Sequence, residues 1–138
     1  MGEFEKINNG EEMKIIFPSD LDMLEKIVSE AVSFVKSHNL QIDMFAFRLA
    51  LHEGLSNAVK HGNKLIKELK TKLEISLEVG FLKIHIEDSG EGFNWKDLPE
   101  SLHDFSQPNG RGIILLKAYG YMPEFNEKGN AITLTKSL

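Results

Sequence analysis

The chain of 138 residues contains no cysteine. That excludes a disulfide framework, a thiolate zinc site and a cysteine nucleophile together. No apolar run approaches the ~20 residues needed to cross a bilayer. Met1-Gly2-Glu3-Phe4-Glu5-Lys6 is charged where a signal peptide carries its apolar stretch. Lysine and arginine form no long block, and the formal net charge is -5. Direct nucleic-acid binding, which draws on clustered cations that release counterions, is therefore not expected. Internal repeats, low-complexity tracts and Pro/Ser-rich linkers are also missing. What remains is one globular domain over residues 1–138, expected in the cytoplasm and with no membrane attachment. A chain of this size buries roughly two thirds of its unfolded surface around one core.

Several catalytic signatures are absent as well. There is no G-x-x-x-x-G-K-[ST] phosphate loop and no G-x-G-x-x-G dinucleotide fingerprint. Asp104-Phe105 is followed by Ser106, and no H-R-D loop exists, so the eukaryotic-type protein kinase set is missing. His52-Glu53 opens like a zinc-protease motif, but Ser56 stands where the second histidine is required.

What is present has a clear periodicity. Lys14-Ile15-Ile16-Phe17 reads as a short strand stopped by Pro18, and Ser19 with Asp22 forms a capping box. Apolar residues at helical spacing predict a helix over about 20–37, and a second over about 43–61 that ends at Gly62. Leu73, Ile75, Leu77 and Val79 alternate as a strand, and after Gly80 so do Leu82, Ile84 and Ile86. Residues 93–109 look irregular, with a helical turn near 98–105. A helix follows over 113–119, then strands over 121–127 and 131–136 around a Lys128-Gly129-Asn130 turn. The order β-α-α-β-β-α-β-β predicts an α+β sandwich with helices on one face of a mostly antiparallel sheet.

Two places break the pattern. On a wheel of the second helix, Phe45, Phe47, Leu49, Leu51, Leu55 and Val59 share a core arc. Ala46, Ala50, Glu53, Gly54, Asn57 and His61 share the other, a run of small residues around a carboxylate and a carboxamide. Either that is a plain solvated face or it is a ligand side. On the second reading Gly54 answers to the close approach of a ligand or backbone, Asn57 holds Mg²⁺ and Glu53 is a general base. Asp88 falls where period-2 alternation calls for an apolar side chain, so it needs a partner to offset desolvation. That partner is either a ligand donor such as the adenine amine or the amides of its own loop in an Asx turn. Gly90 and Gly92 follow, and Gly110-Arg111-Gly112 opens a helix whose free amides favour phosphate.

Taken together, these stretches resemble the GHKL, or Bergerat, ATPase superfamily, and within it the short anti-sigma-factor serine kinases. The resemblance runs from about Lys14 to the end. Glu53-Gly54-Leu55-Ser56-Asn57-Ala58-Val59-Lys60-His61-Gly62-Asn63 resembles the N-box. Asp88-Ser89-Gly90-Glu91-Gly92-Phe93 and Gly110-Arg111-Gly112 resemble the two glycine boxes, and Gly129 to Thr135 the closing segment. The resemblance implies a Bergerat-type two-layer sandwich that binds ATP and Mg²⁺. Glu53 would activate a serine hydroxyl, Asn57 would hold the metal, and Asp88 would select adenine. Gly90, Gly92, Gly110 and Gly112 would shape pocket and lid, Arg111 would meet the phosphates, and Thr133 would support the adenine end. It further implies a homodimer whose partners are a sigma factor and a STAS-like anti-anti-sigma factor, the phosphate acceptor. The alternatives are a non-catalytic nucleotide-sensing module that sequesters a regulator, and a stand-alone ATPase or kinase fragment.

Overall fold

The computed structural model describes residues 4–90 and 111–138, the side chains of residues 111–114 excepted. Six strands, β1 (Glu5–Asn8), β2 (Glu12–Pro18), β3 (Lys70–Glu78), β4 (Phe81–Glu87), β5 (Tyr121–Phe125) and β6 (Ala131–Ser137), form one sheet. Their order is β1-β2-β3-β4-β6-β5, and every neighbouring pair is antiparallel. The alternation read from the sequence sets the register. Met13 and Ile15 lie opposite Ile75 and Leu73, which lie opposite Ile84 and Ile86, which lie opposite Leu134 and Ile132. A continuous apolar surface results, and three helices cover it: α1 (Leu24–Ser37), α2 (Met44–Asn57) and α3 (Arg111–Ala118). The opposite face carries Lys72, Glu74, Lys83, His85 and Thr133, all partly accessible. This is the expected α+β sandwich.

The strand boundaries differ in two instructive ways. Glu5–Asn8 shows no apolar alternation because all four residues are exposed at the sheet edge, so periodicity could not find β1. A tight turn holds it, with the amides of Gly10 and Glu12 donating to the side chains of Asn8 and Asn9. Val79, expected to point inward, is 99% exposed. It belongs with Gly80 to the turn that joins Glu78 to Phe81.

The helices bring two corrections. Ser19 does not cap α1. A 3-10 turn over Leu21–Met23 precedes that helix, and Asp20 caps the turn by accepting the Asp22 amide at 3.0 Å. Ser19 is fully buried elsewhere. In α2, capped by Asp43 through the Ala46 amide, the small-residue stripe faces the sheet. Ala46, Ala50 and Gly54 are buried together with Phe47, Leu51 and Leu55. Phe45, assigned to the core arc, is 65% exposed and sets its ring edge-on to Tyr119. Of the small arc only Ala46, Ala50 and Gly54 are inside, while Glu53, Asn57 and His61 reach solvent, and at Gly54 the helix lies so close to β4 that no side chain fits beneath it. A Cβ on Gly54 would stand 2.4 Å from Cδ1 of Ile86. Sheet packing, not a ligand, compensates for this helical glycine.

Gly54→Ala is therefore expected to lower stability by about 1–3 kcal/mol despite alanine's higher helix propensity. Shortening the opposing side chain in Gly54→Ala/Ile86→Val should recover part of that loss. A double-mutant cycle in urea denaturation reads the coupling; additive losses would show that the two side chains do not compete for this space.

Candidate functional site

At one end of the sheet, the inward rows of four adjacent strands each finish in a polar residue. Phe17 is followed two positions on by Ser19, Leu73 is preceded by Thr71, Ile86 is followed by Asp88, and Ile132 is preceded by Asn130. The pairing continues across them. The Asp88 amide donates to the Asn130 carbonyl at 2.9 Å, and the Asn130 carboxamide donates to the Asp88 carbonyl at 2.8 Å. Ser19 and Thr71 are fully buried with their hydroxyls 2.9 Å apart. Buried polar groups persist only when hydrogen-bonded, and here the required partner comes from the end of α2.

That helix does not stop at Gly62 in the ordinary way. After Asn57 its last turn widens into a π-helix over Ala58–Gly62, in which the Asn63 amide reaches back five residues to the Ala58 carbonyl. Such π turns recur at functional positions because the extra residue per turn redirects the chain. Here it drives Asn63 into the core, where the side chain is fully buried. Its Nδ2 donates to Ser19 Oγ at 2.7 Å and to the Lys70 carbonyl at 3.0 Å, with Thr71 Oγ1 at 3.2 Å. Its Oδ1 accepts the Ser89 amide at 2.8 Å. One carboxamide thus joins β2, the start of β3, the end of α2 and the loop after β4.

The same turn presses backbone against backbone. A Cβ on Gly62 would lie 2.1 Å from Asp88 Oδ2, and one on Gly90 would lie 2.0 Å from the Gly62 carbonyl oxygen. Glycine is required at both positions by proximity. Asp88 is half-buried against this contact, and its Oδ1 accepts the Gly90 amide at 2.7 Å. The Asx turn anticipated for Asp88 is therefore present. Among the described residues none donates to Oδ2, which leaves an acceptor for a second partner. Burial raises the Asp88 carboxyl above its ordinary value of 3.8, against the Gly90 hydrogen bond and with repulsion from Glu87 adding to the rise.

A half-buried carboxylate held between two glycine backbones, at the end of a helix that carries Glu53 and Asn57, is the geometry in hand when the chain is compared with known families. The family model of the histidine kinase-like ATPase domain matches residues 17–136. The chain belongs to that family. No curated protein matches it. Membership makes this an ATP-binding domain, and the match includes β3, β4 and β5 whole, β6 up to Lys136 and only the last two residues of β2.

Within this ATPase domain the anticipated residues separate into groups. Glu53 is partly exposed and Asn57 exposed, one turn apart on α2 just before the π turn. Asp88 and Gly90 meet Gly62 as described. Arg111 and Gly112 begin α3, while the Arg111 side chain, Gly92, Gly110 and the expected turn over 98–105 lie outside the described residues. Thr133 is not brought to the site. Pleat parity places it with His85 on the opposite face of the sheet, where its Oγ1 lies 2.9 Å from His85 Nδ1. His85 Nε2 in turn meets Glu87 Oε1 at 3.1 Å, and that hydrogen bond, against partial burial and with help from Lys72, lowers the Glu87 carboxyl. Asn130 occupies the place beside Asp88 that Thr133 was expected to support. Asn63 escaped notice too, although Thr71 breaks an apolar row just as Asp88 does, and that signal could have revealed the network.

The donor set suits a hard cation only in part. Asn57 offers an exposed amide oxygen, the kind of ligand that Mg²⁺ accepts while keeping waters. Among the described residues no group of three or more His, Asp or Glu gathers as a protein cage. A metal held by one carboxamide and the nucleotide's phosphates fits this arrangement. Among the described residues no helix is long and apolar enough to cross a membrane.

Two outcomes test the geometry. Asn63→Ala should cost about 3 kcal/mol in chemical denaturation, since several buried partners each lose about 1 kcal/mol or more; a loss under 1 kcal/mol would remove Asn63 as the hub. Asp88 has a raised native pKa, so its ionisation opposes folding. The penalty is absent below 3.8, grows as pH rises through the raised value and is constant above it. Asp88→Asn should therefore gain stability relative to wild type over that interval, measured without nucleotide, and show no gain at lower pH.

Proposed function

We propose that this ATPase domain is an ATP-dependent protein serine kinase and anti-sigma factor of a bacterial partner-switching system. It phosphorylates an anti-anti-sigma factor and, in the alternative complex, sequesters a sigma factor, working as a homodimer. The observation that supports this most is the pairing of Glu53 and Asn57, both reachable from solvent, on the helix that also delivers Gly62 to Asp88. A site that only stored nucleotide would need Asn57 and the Asp88 end but not Glu53.

The division of labour follows from position. Asp88 presents Oδ2 to the exocyclic amine of adenine, and the close packing of Gly62 and Gly90 around its carboxylate fixes it in position. Asn57 would hold Mg²⁺, which neutralises phosphate charge when bound. Glu53 takes the proton of the acceptor serine as its oxygen bonds to the γ-phosphorus. The bridging bond to the β-phosphate breaks, and ADP leaves with that electron pair. Positioning and charge neutralisation carry most of the catalysis in phosphoryl transfer, so a site without a protein metal cage is adequate.

Thermal unfolding with nucleotide separates the readings. At Mg²⁺-ATP 100-fold above its dissociation constant, linkage adds about 2.7 kcal/mol, a rise on the order of 5 °C for a domain this size. Asp88→Asn should lose the rise, Thr133→Val should keep it, and GTP should not produce it. Glu53→Ala should keep the rise yet transfer phosphate to the acceptor at least about 10²-fold more slowly. Tight partner binding with no phosphate gained from labelled ATP would instead identify a non-catalytic nucleotide-sensing module.

A further inference from the structure

Between the π turn and β3 the chain concentrates positive charge in a protein that is negative overall. Residues 60–70 hold Lys60, Lys64, Lys67 and Lys70 against a single Glu68, while the whole chain has a net charge of -5. Lys67 is occupied by Asp20 at 3.5 Å. Lys60, Lys64 and Lys70 are exposed and have no ion-pair partner among the described residues. Between them stand Leu65 and Ile66, 51% and 44% exposed.

The backbone here is fixed in an unusual conformation. Lys64 and Leu65 both adopt left-handed φ values, 52° and 62°, a region that a leucine rarely enters and that glycine or asparagine occupies readily. The Leu65 amide bonds the carbonyl of buried Val59 at 2.8 Å, and the Ile66 amide bonds the carbonyl of buried Asn63 at 2.9 Å. The fold thus leaves about half of an apolar side chain in water, in a conformation unfavourable to it. The segment is also joined to the nucleotide end of the sheet. Asn63 receives the Ser89 amide, and Ser89 Oγ reaches the Lys70 carbonyl at 3.4 Å.

We propose that Lys60–Lys70 is the docking surface for the phosphate-acceptor protein, and that the face it accepts is acidic with an apolar side chain at its centre. The proposal rests on the kinase reading and names the partner chemistry of that same site. Charge complementarity points to a protein as the occupant: three cations unpaired among the described residues suit a few carboxylates, and Leu65 with Ile66 suits an apolar knob. A nucleic acid would meet two apolar side chains at the middle of the patch and a net negative chain around it. Lys60 stands three residues beyond Asn57 on the continuing helix, so a protein seated here brings its serine to the end of α2 that carries Glu53.

The test uses labelled serine peptides of one sequence, with leucines beside the serine and flanks of glutamate, glutamine or lysine. Fluorescence anisotropy should show the glutamate form binding about tenfold tighter than the glutamine form, as a few exposed ion pairs allow, and weakening as salt rises. Lys64→Glu/Lys70→Glu should abolish that preference, while Lys36→Glu on α1 should keep it. Leu65→Asn carries the sharper expectation: asparagine suits the left-handed backbone, so its melting temperature should equal or exceed wild type while affinity for the glutamate peptide falls about fivefold. Equal binding of the three peptides, or unchanged binding by Leu65→Asn, overturns the proposal. So does a single-stranded oligonucleotide that displaces the glutamate peptide at lower concentration. Mg²⁺-ATP stabilisation on the same samples tests the kinase reading alone. A wild-type protein that prefers the glutamate peptide but ignores nucleotide would overturn that reading and keep the surface.

Discussion

The Asn63 carboxamide is the contact on which the functional end of this protein depends. It is an uncharged group with both donor hydrogens and its acceptor oxygen committed to protein. Buried polar groups of this kind rigidify what they join because any partial rearrangement strands a partner in a low-dielectric interior. The groups joined here are a strand end, a strand start, a helix end and a loop, none of which is otherwise covalently close. The π turn exists to deliver that side chain, and once it is delivered, Gly62 is carried against Asp88 and Gly90 against Gly62. This end of the sheet is therefore set by backbone proximity and a saturated amide network, while the rest of the sandwich is held by ordinary apolar packing.

Much of this was legible in the residues. Period-2 alternation in 73–77 and 82–86 set the register, and the break at Asp88 marked a carboxylate that needed a partner, one of which is the Gly90 amide of its own loop. The same logic applied to Thr71 would have pointed to the network around Asn63. The failures have physical causes as well. The role of Thr133 came from the family resemblance alone; period-2 counting from Ile132 already puts it on the face opposite Asp88 and Asn130, where the structure has it. The helical wheel separated large from small residues in α2 and left the small arc open between solvent and ligand, without the sheet as a third neighbour. A helix lying directly on a sheet needs small residues at the contact, and Ile86 fills the space below Gly54. Edge strand β1 has no apolar row to display, and only its Asn9-Gly10 turn, a favoured hairpin dipeptide, announces it.

The two faces of the sheet are built to different ends. On the helix side apolar rows run across β2, β3, β4 and β6 and end together in polar residues, so core and site share one surface and differ only in position along the strands. On the open side Lys72, Glu87, His85 and Thr133 form a chain of hydrogen bonds and ion pairs. Exposed pairs of this sort contribute little stability individually, but they keep that face polar.

β6 is the last strand in chain order but lies inside the sheet, between β4 and β5. During synthesis β4 therefore emerges, pairs with β3 through a short turn, and keeps its other edge open until the final segment arrives. Local hairpins form readily, whereas insertion of a distant strand is slow and leaves an edge able to pair with foreign chains. The strand that closes this edge also brings Asn130 to Asp88. A nascent chain thus cannot assemble the polar cluster around Asp88 early and wait for the sheet. Closure of the β4 edge and completion of that cluster arrive in the same docking event.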